Sequence, residues 1–291
     1  KNQYAAAVTM FDESLVYPLD TEYPLGAYFW KAEAYAIGKK YPEAAAAYQK
    51  VLWNQNGKGS AYHMKSRYGL GYAYFDNKEY DKALVQFYEY VEKGGDNDSK
   101  TNHHDATIRL ADCYYVKKDY SKAINYYQKS IAQSKVDNDY SYLHLGLVNG
   151  IENNFVAANG AFDEVILNHS GSKYYDDAVF NKAQLAFENG DYTKAIASFD
   201  VLIENKTKSR YAPYAYLKRA SVLTLQGKSQ TFDRYLAKYK AANPEGEGLE
   251  NVEFQAAKGL YFNQEYALAI DKLIAFQNSY SQSNLLEDAM Y

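Results

Sequence analysis

The sequence predicts an all-α fold in which antiparallel helix pairs stack into a solenoid, and two observations predict it. An aromatic residue followed three positions later by alanine recurs along the chain at intervals of 35 to 40 residues. The best-defined repeat, residues 65–92, reads as two amphipathic helices joined by a short polar segment. A period of this length is typical of solenoids, in which each repeat packs on its neighbours.

The spacing of the aromatic–alanine pairs sets the number of repeats. One interval of 74 residues equals two periods of 37, so one copy has lost the pattern near residues 228–232. We expect residues 1–291 to form a single solenoid of about seven complete repeats, with partial repeats at both ends, as a fragment of a longer protein. The pairs are Tyr4/Ala7, Tyr41/Ala44, Tyr80/Ala83, Tyr120/Ala123, Phe155/Ala158, Tyr192/Ala195 and Tyr266/Ala269.

The helices of one repeat follow from residues 65–92. Apolar residues recur at three- and four-residue spacing on both sides of the polar segment 75–79, which is typical of an αα-hairpin. Small residues at Gly71 and Ala83 should let the two helices approach closely, and the Phe87 ring should fill the space around that contact.

This unit resembles the tetratricopeptide repeat, whose usual length is about 34 residues. The family's order of small, aromatic, aromatic, small and aromatic residues occurs in six copies that cover essentially the whole chain. The resemblance implies a right-handed superhelix of antiparallel helix pairs. The clearest copies are Ala32, Tyr35, Tyr41, Ala44 and Tyr48; Gly71, Tyr74, Tyr80, Ala83 and Phe87; and Ala111, Tyr114, Tyr120, Ala123 and Tyr127.

The resemblance also implies a binding surface, because ligands of the family usually lie against the first helices on the concave inner face. Chaperone-binding members hold a terminal carboxylate there with Lys, Asn and Arg, but the fifth position of each repeat here is apolar or aromatic, so that clamp is not expected. The rings form either an accessible groove or part of the core. The predicted partner groove is Phe29, Tyr68, Tyr72, Phe75, Ile108, Tyr115, Phe180, Phe187, Tyr216, Phe254 and Tyr261.

Composition favours a binding protein over an enzyme. The net charge of −4 gives no overall attraction to nucleic acid, and the single cysteine, Cys113, cannot form an internal disulfide. No glycine-rich phosphate loop is present, and His103-His104-Asp105, the only local cluster of metal-ligand residue types, reads as a solvated helix start. We therefore expect no catalytic residue, no metal and no cofactor. The 33 tyrosines suit half-buried positions between stacked helices.

Two other binding functions stay open as alternatives to a protein or extended peptide. Aromatic rings on the inner face could stack on a glycan. Nucleic acid, the weaker alternative, could bind repeat seven, where residues 206–240 carry nine basic residues and one acid; an ordinary solvated surface is the competing interpretation. The candidate basic patch is Lys218, Arg219, Lys228 and Arg234.

Three inter-repeat segments suggest a cellular location. Residues 172–178, 209–215 and 283–289 each begin with serine and end with alanine. They are similar to segments of two bacterial envelope families, the outer-membrane assembly lipoproteins and the Tol–Pal coordinators. This similarity implies a scaffold in the periplasm or at the outer membrane, with membrane contact only through a region outside this sequence. A cytoplasmic location is the alternative.

Overall fold

The computed structural model describes residues 2–16, 23–94, 98–134, 136–205, 209–225, 237, 240–241 and 249–290. In these ranges the chain forms fifteen α-helices and no strand, so the all-α prediction is confirmed. The helices are α1 (Asn2–Ser14), α2 (Tyr23–Ile37), α3 (Tyr41–Leu52), α4 (His63–Asp76), α5 (Tyr80–Lys93), α6 (Lys100–Val116), α7 (Tyr120–Gln133), α8 (Asp139–Ile151), α9 (Phe155–Asn168), α10 (Tyr175–Glu188), α11 (Tyr192–Asp200), α12 (Ala212–Leu225), α13 (Leu249–Phe262), α14 (Tyr266–Ser279) and α15 (Leu286–Met290).

The chain divides into two compact units, Lys1–Val148 and Asn149–Tyr291. In the first unit, the pairs α2/α3, α4/α5 and α6/α7 each form a hairpin, and α3 and α5 also pack on the first helix of the next pair. In the second unit, α10 packs on α9 and α11, α11 packs on α12, and α13 packs on α12 and α14. This is the repeat arrangement that the sequence predicts. The single solenoid over residues 1–291 stays a prediction.

The six hairpin turns in the described ranges are closed in the same way. Two residues before each second helix, the backbone enters the left-handed region with φ between 58° and 75°. The next N–H donates to a carbonyl five residues earlier, as from Glu79 to Tyr74 at 2.8 Å. This turn usually takes glycine. The residues that adopt it here are Lys39, Lys78, Lys118, Asn153, Gly190 and Gln264.

Close contact between paired helices depends on small residues. A Cβ atom at Gly71 would lie 2.7 Å from the Phe87 ring, and Ala83 is fully buried. Ala111 and Ala195 are likewise fully buried in their pairs. The Gly71–Phe87 contact agrees with the predicted role of Gly71, because a larger side chain there would push the Phe87 ring away. The role of Ala83 stays a prediction.

The serine of the inter-repeat segments has a local structural role in the second unit. Its hydroxyl accepts a hydrogen bond from the N–H two residues on, which fixes the turn before the next first helix. This turn accounts for the recurring serine without reference to cellular location. The three bonds run from Tyr174 to Ser172 at 2.9 Å, from Tyr211 to Ser209 at 3.2 Å, and from Leu285 to Ser283 at 2.9 Å.

No helix in the described ranges combines the length and the apolar character that a membrane crossing needs.

Replacing Ala83 or Ala195 with Phe should overpack a helix pair and lower the free energy of unfolding by about 1–3 kcal/mol. Val85 lies on the same helix as Ala83 but is exposed, so Val85→Phe is the matched control and should change stability by less than about 0.5 kcal/mol. Urea denaturation measures all three variants. If the variants at Ala83 and Ala195 unfold like the parent, the repeat register given above is wrong.

Candidate binding site on the first helices

The structure separates the eleven predicted groove residues by burial. Six are half-buried: Tyr68, Tyr72, Phe75, Tyr115, Phe180 and Phe187. Tyr261 is 54% exposed. The remaining four are no more than 6% exposed and belong to the core: Phe29, Ile108, Tyr216 and Phe254.

Two of the buried members, Phe29 and Phe254, pack against the second helix of their own pair. The Phe29 ring lies 6.1 Å from that of Tyr48, and the Phe254 ring lies 5.6 Å from that of Phe276. Sequence alone left open whether these rings are groove or core, and at these positions they are core. Binding of a partner by the accessible members stays a prediction.

Aromatic residues at the twelfth position of the repeat, near the end of the first helix, pack across the hairpin turn. Each ring contacts the aromatic residue that opens the second helix, in an edge-on or tilted arrangement that rings favour. In the first unit, Phe75 and Tyr115 make this contact and are still only half-buried. The centroid distances are 5.4 Å for Phe75–Tyr80, 6.1 Å for Tyr115–Tyr120, 5.9 Å for Phe187–Tyr192 and 5.6 Å for Tyr261–Tyr266.

Three charged residues lie on one face of α6, between the half-buried rings. Asp105, Arg109 and Asp112 are spaced by four and three residues, which places them side by side on a helix. Arg109 Nη1 donates to Asp112 Oδ2 at 2.5 Å, whereas Arg109 Nε lies 3.8 Å from Asp105 Oδ1. We call these three residues the α6 charge cluster.

Tyrosines from three other helices hold the α6 charge cluster. Tyr68 and Tyr72 of α4 both donate to Asp105 Oδ2, the first at 2.8 Å. On the other side, Asp112 Oδ1 accepts the hydroxyls of Tyr127 on α7 and Tyr140 on α8, at 2.6 and 3.1 Å. The cluster therefore connects three successive repeats of the first unit.

Aromatic rings also enclose the guanidinium of Arg109. Its central carbon lies 5.2 Å from the Tyr140 ring centroid and 5.8 Å from that of Phe75. The His144 ring lies 4.1 Å from the Tyr140 ring on the side of α8. These distances suit cation–π contacts, so both the position and the orientation of Arg109 are fixed before any ligand arrives.

The surroundings shift the pKa values of these groups. Burial alone would lower the pKa of Arg109, but Asp112 and the nearby tyrosines more than offset it, so the guanidinium stays charged. Burial, followed by neighbouring Tyr72 and Asp105, raises the pKa of Tyr68. Burial, followed by Asp112, raises the pKa of Tyr127. These tyrosines are therefore neutral hydrogen-bond donors at ordinary pH.

Sequence reasoning missed the α6 charge cluster. It placed Asp105 in a solvated helix start with His103 and His104, but Asp105 is the acceptor for two tyrosines of the preceding repeat. His103 instead contacts the Val91 carbonyl oxygen at 3.0 Å. The spacing of the three charged residues along one face of α6 is a signal that could have identified the cluster.

Metal binding and thiol chemistry find no support among the described residues. No group of three or more His, Cys, Asp or Glu side chains that could hold a metal ion occurs in the described ranges. The Cys113 thiol is fully buried, and burial, reinforced by Asp112, raises its pKa to about 12. It is a packed thiol, because a nucleophilic cysteine needs a lowered pKa and access.

The two described members of the candidate basic patch, Lys218 and Arg219, have different surroundings. Arg219 is 4% exposed, and its Nε lies 2.5 Å from Asp200 Oδ1, so this side chain is not on the surface where nucleic acid could reach it. Lys218 places its ammonium 5.1 Å from the centroid of the Phe187 ring. Lys228 and Arg234 lie outside the described residues.

The stability of the protein should fall as pH rises above about 10, the ordinary tyrosine pKa. Burial, aided by adjacent acidic groups, raises the pKa of Tyr48, Tyr68, Tyr72, Tyr90, Tyr126, Tyr127, Tyr140 and Tyr280 in the folded chain. A raised folded-state pKa contributes stability that is complete below the unfolded-state pKa and is lost as pH rises through the folded-state value.

Tyrosinate absorbance and helical circular dichroism, followed together in an alkaline titration, test this. Part of the absorbance should appear only in the step where helicity is lost, and the same titration in denaturant is the control. Ionisation of all tyrosines near pH 10 with helicity intact would contradict the burial of these hydroxyls.

Family models match most of the chain. A tetratricopeptide repeat-like domain matches residues 123–247, one tetratricopeptide repeat model matches residues 1–61 and 60–99, and another matches residues 105–134. No curated protein matches the chain.

Solved structures share the fold at low sequence identity. The C-terminal part of a TPR repeat-containing protein from Cytophaga hutchinsonii is 18% identical with a TM-score of 0.68, over 90% of this chain and 99% of that one. A tetratricopeptide repeat protein from Parabacteroides merdae is 15% identical with a TM-score of 0.58, over 91% and 96%. YrrB, described as a TPR protein with an unusual peptide-binding site, is 18% identical with a TM-score of 0.52, over 68% and 91%.

The repeated helix pairs, the small residues at their contacts and the matching family models lead to one conclusion. The chain belongs to the tetratricopeptide repeat family.

Proposed function

We propose that this chain is a non-catalytic scaffold that binds a protein or an extended peptide along the first helices α4, α6 and α8. One observation carries the proposal. Half-buried aromatic rings and the α6 charge cluster lie side by side on successive first helices, and every charged member is fixed by contacts within the protein.

Such a surface suits peptide binding for two reasons. Tyrosine supplies a large contact area with little loss of side-chain entropy and is enriched among the residues that dominate binding energy. Polar groups that are already oriented lose little further freedom when a partner binds. An extended segment lying across α4, α6 and α8 would meet Tyr68, Tyr72 and Tyr115 together with the α6 charge cluster.

The comparisons support this proposal by likeness of fold. Members of the family are in general scaffolds for protein interaction, and one of the similar solved structures is described as having a peptide-binding site.

The location proposed for the scaffold is a bacterial envelope assembly. Its support is the similarity of the three serine-containing segments to envelope proteins, although the serine turn also gives those segments a structural role. Fractionation of the source cells distinguishes the periplasm or outer membrane from the cytoplasm. Recovery in the cytoplasmic fraction alone would remove the envelope part of the proposal.

Peptides selected from a random-sequence display library on the wild-type chain should depend on the first-helix rings. Tyr68→Ala and Tyr115→Ala should each weaken binding of the selected peptides by about tenfold or more, measured by fluorescence polarisation. Tyr88→Ala is the matched control, because Tyr88 is an exposed tyrosine on the second helix α5.

Thermal unfolding of the same variants separates binding from folding. The proposal expects weakened binding with a melting temperature close to that of the parent. A large drop in melting temperature with peptide binding intact would mean that these rings are core, and the proposed binding surface would be wrong.

A further inference from the structure

We infer that the segment bound on α4, α6 and α8 presents a basic side chain, lysine or arginine, to Asp105. This inference rests on the proposed function and adds the chemistry of the partner. Its basis is the net charge of the α6 charge cluster, in which two carboxylates face one guanidinium.

Arg109 and Asp112 form an ion pair within the protein. Arg109 donates to one oxygen of Asp112 at 2.5 Å, and Tyr127 and Tyr140 donate to the other oxygen. The Asp112 side chain is only 7% exposed. A carboxylate with three donors, one of them a guanidinium, needs no further partner. Arg109 is therefore committed within the protein, and its charge is balanced there.

Asp105 is the third residue of the α6 charge cluster. Its Oδ2 accepts from Tyr68 and Tyr72, but among the described residues Oδ1 has only Arg109 Nε nearby, at 3.8 Å, which is too long for a hydrogen bond. Its side chain is 32% exposed, more than the 22% of Arg109. One formal negative charge and one acceptor oxygen are therefore presented on the binding surface.

The rings beside Asp105 favour a cation as well. Tyr68 and Tyr72 lie 5.1 Å apart with their planes at 70°, and both are half-buried next to the carboxylate. An ammonium or guanidinium can contact a tyrosine face while it donates to a carboxylate oxygen. An acidic side chain would instead meet the charge of Asp105, while Arg109 is already engaged by Asp112.

The test uses the full chain and a random-sequence peptide display library. Peptides selected on the wild-type protein should share a lysine or arginine at one position. Replacing that residue by norleucine should weaken binding to the wild type by about tenfold. Asp105→Asn keeps an acceptor for Tyr68 and Tyr72 but removes the charge, so this variant should bind the basic and norleucine peptides equally.

The matched control is Asp81→Asn, which removes the same charge from an exposed site on the second helix α5 and should leave the preference for the basic residue unchanged. The norleucine comparison is made on the wild-type protein, so it holds even if Asp105→Asn fails to fold. Selected peptides that depend on Tyr68 but show no charge preference, or prefer an acid, would overturn this inference alone. Failure to select any peptide whose binding depends on Tyr68 would overturn the proposed function and this inference with it.

Discussion

The close approach of the two helices in each pair determines where the large second-helix ring lies and which first-helix side chain it contacts. A small residue on the first helix leaves room for a large ring seven residues into the second, as Gly71 does for Phe87. That ring then reaches the first-helix residue fifteen positions before it. Where the ring is tyrosine, that residue is a carboxylate, and Tyr48 donates to Glu33 and Tyr127 to Asp112, both at 2.6 Å. Where it is Phe87, the residue is Tyr72, and the two rings pack edge to face. A buried hydroxyl without a partner is costly, so the packing and the polar residue go together.

The α6 charge cluster follows from this arrangement. Isolated in the interior, the carboxylate of Asp112 would be strongly destabilising, but it accepts from two tyrosines and from Arg109. Arg109 is in turn held between rings of neighbouring repeats. The same contacts that satisfy the buried charges leave Asp105 as the most exposed member of the cluster. The structural contacts and the proposed binding surface therefore share one helix face. The proposed partner chemistry depends on which charge remains after the internal pairs have formed.

Much of the fold could be predicted from the sequence, because the aromatic and alanine positions repeat with the period of the helix pairs. The hairpin turns could not be identified by their usual glycine, since Lys78 and Lys118 adopt the left-handed backbone instead. Burial of Phe29 and accessibility of Tyr68 could not be distinguished either, because an aromatic residue suits both a core and a binding surface. The role of Asp105 depends on hydrogen bonds to residues 33 and 37 positions away. The neighbouring sequence shows only His103 and His104 beside Asp105 and gives no indication of these hydrogen bonds.

The coupling free energy between Asp112 and Tyr127 tests most directly whether helix packing and the polar contact form one unit. Asp112→Asn, Tyr127→Phe and the double variant would be compared with the parent by urea denaturation, and the same cycle would be run for Glu33 and Tyr48. We expect a favourable coupling of at least about 0.5 kcal/mol, within the range of about 0.5–3 kcal/mol measured for residues in one hydrogen-bonded network. Effects that add to within about 0.3 kcal/mol would show that the two side chains act independently, and would contradict the account.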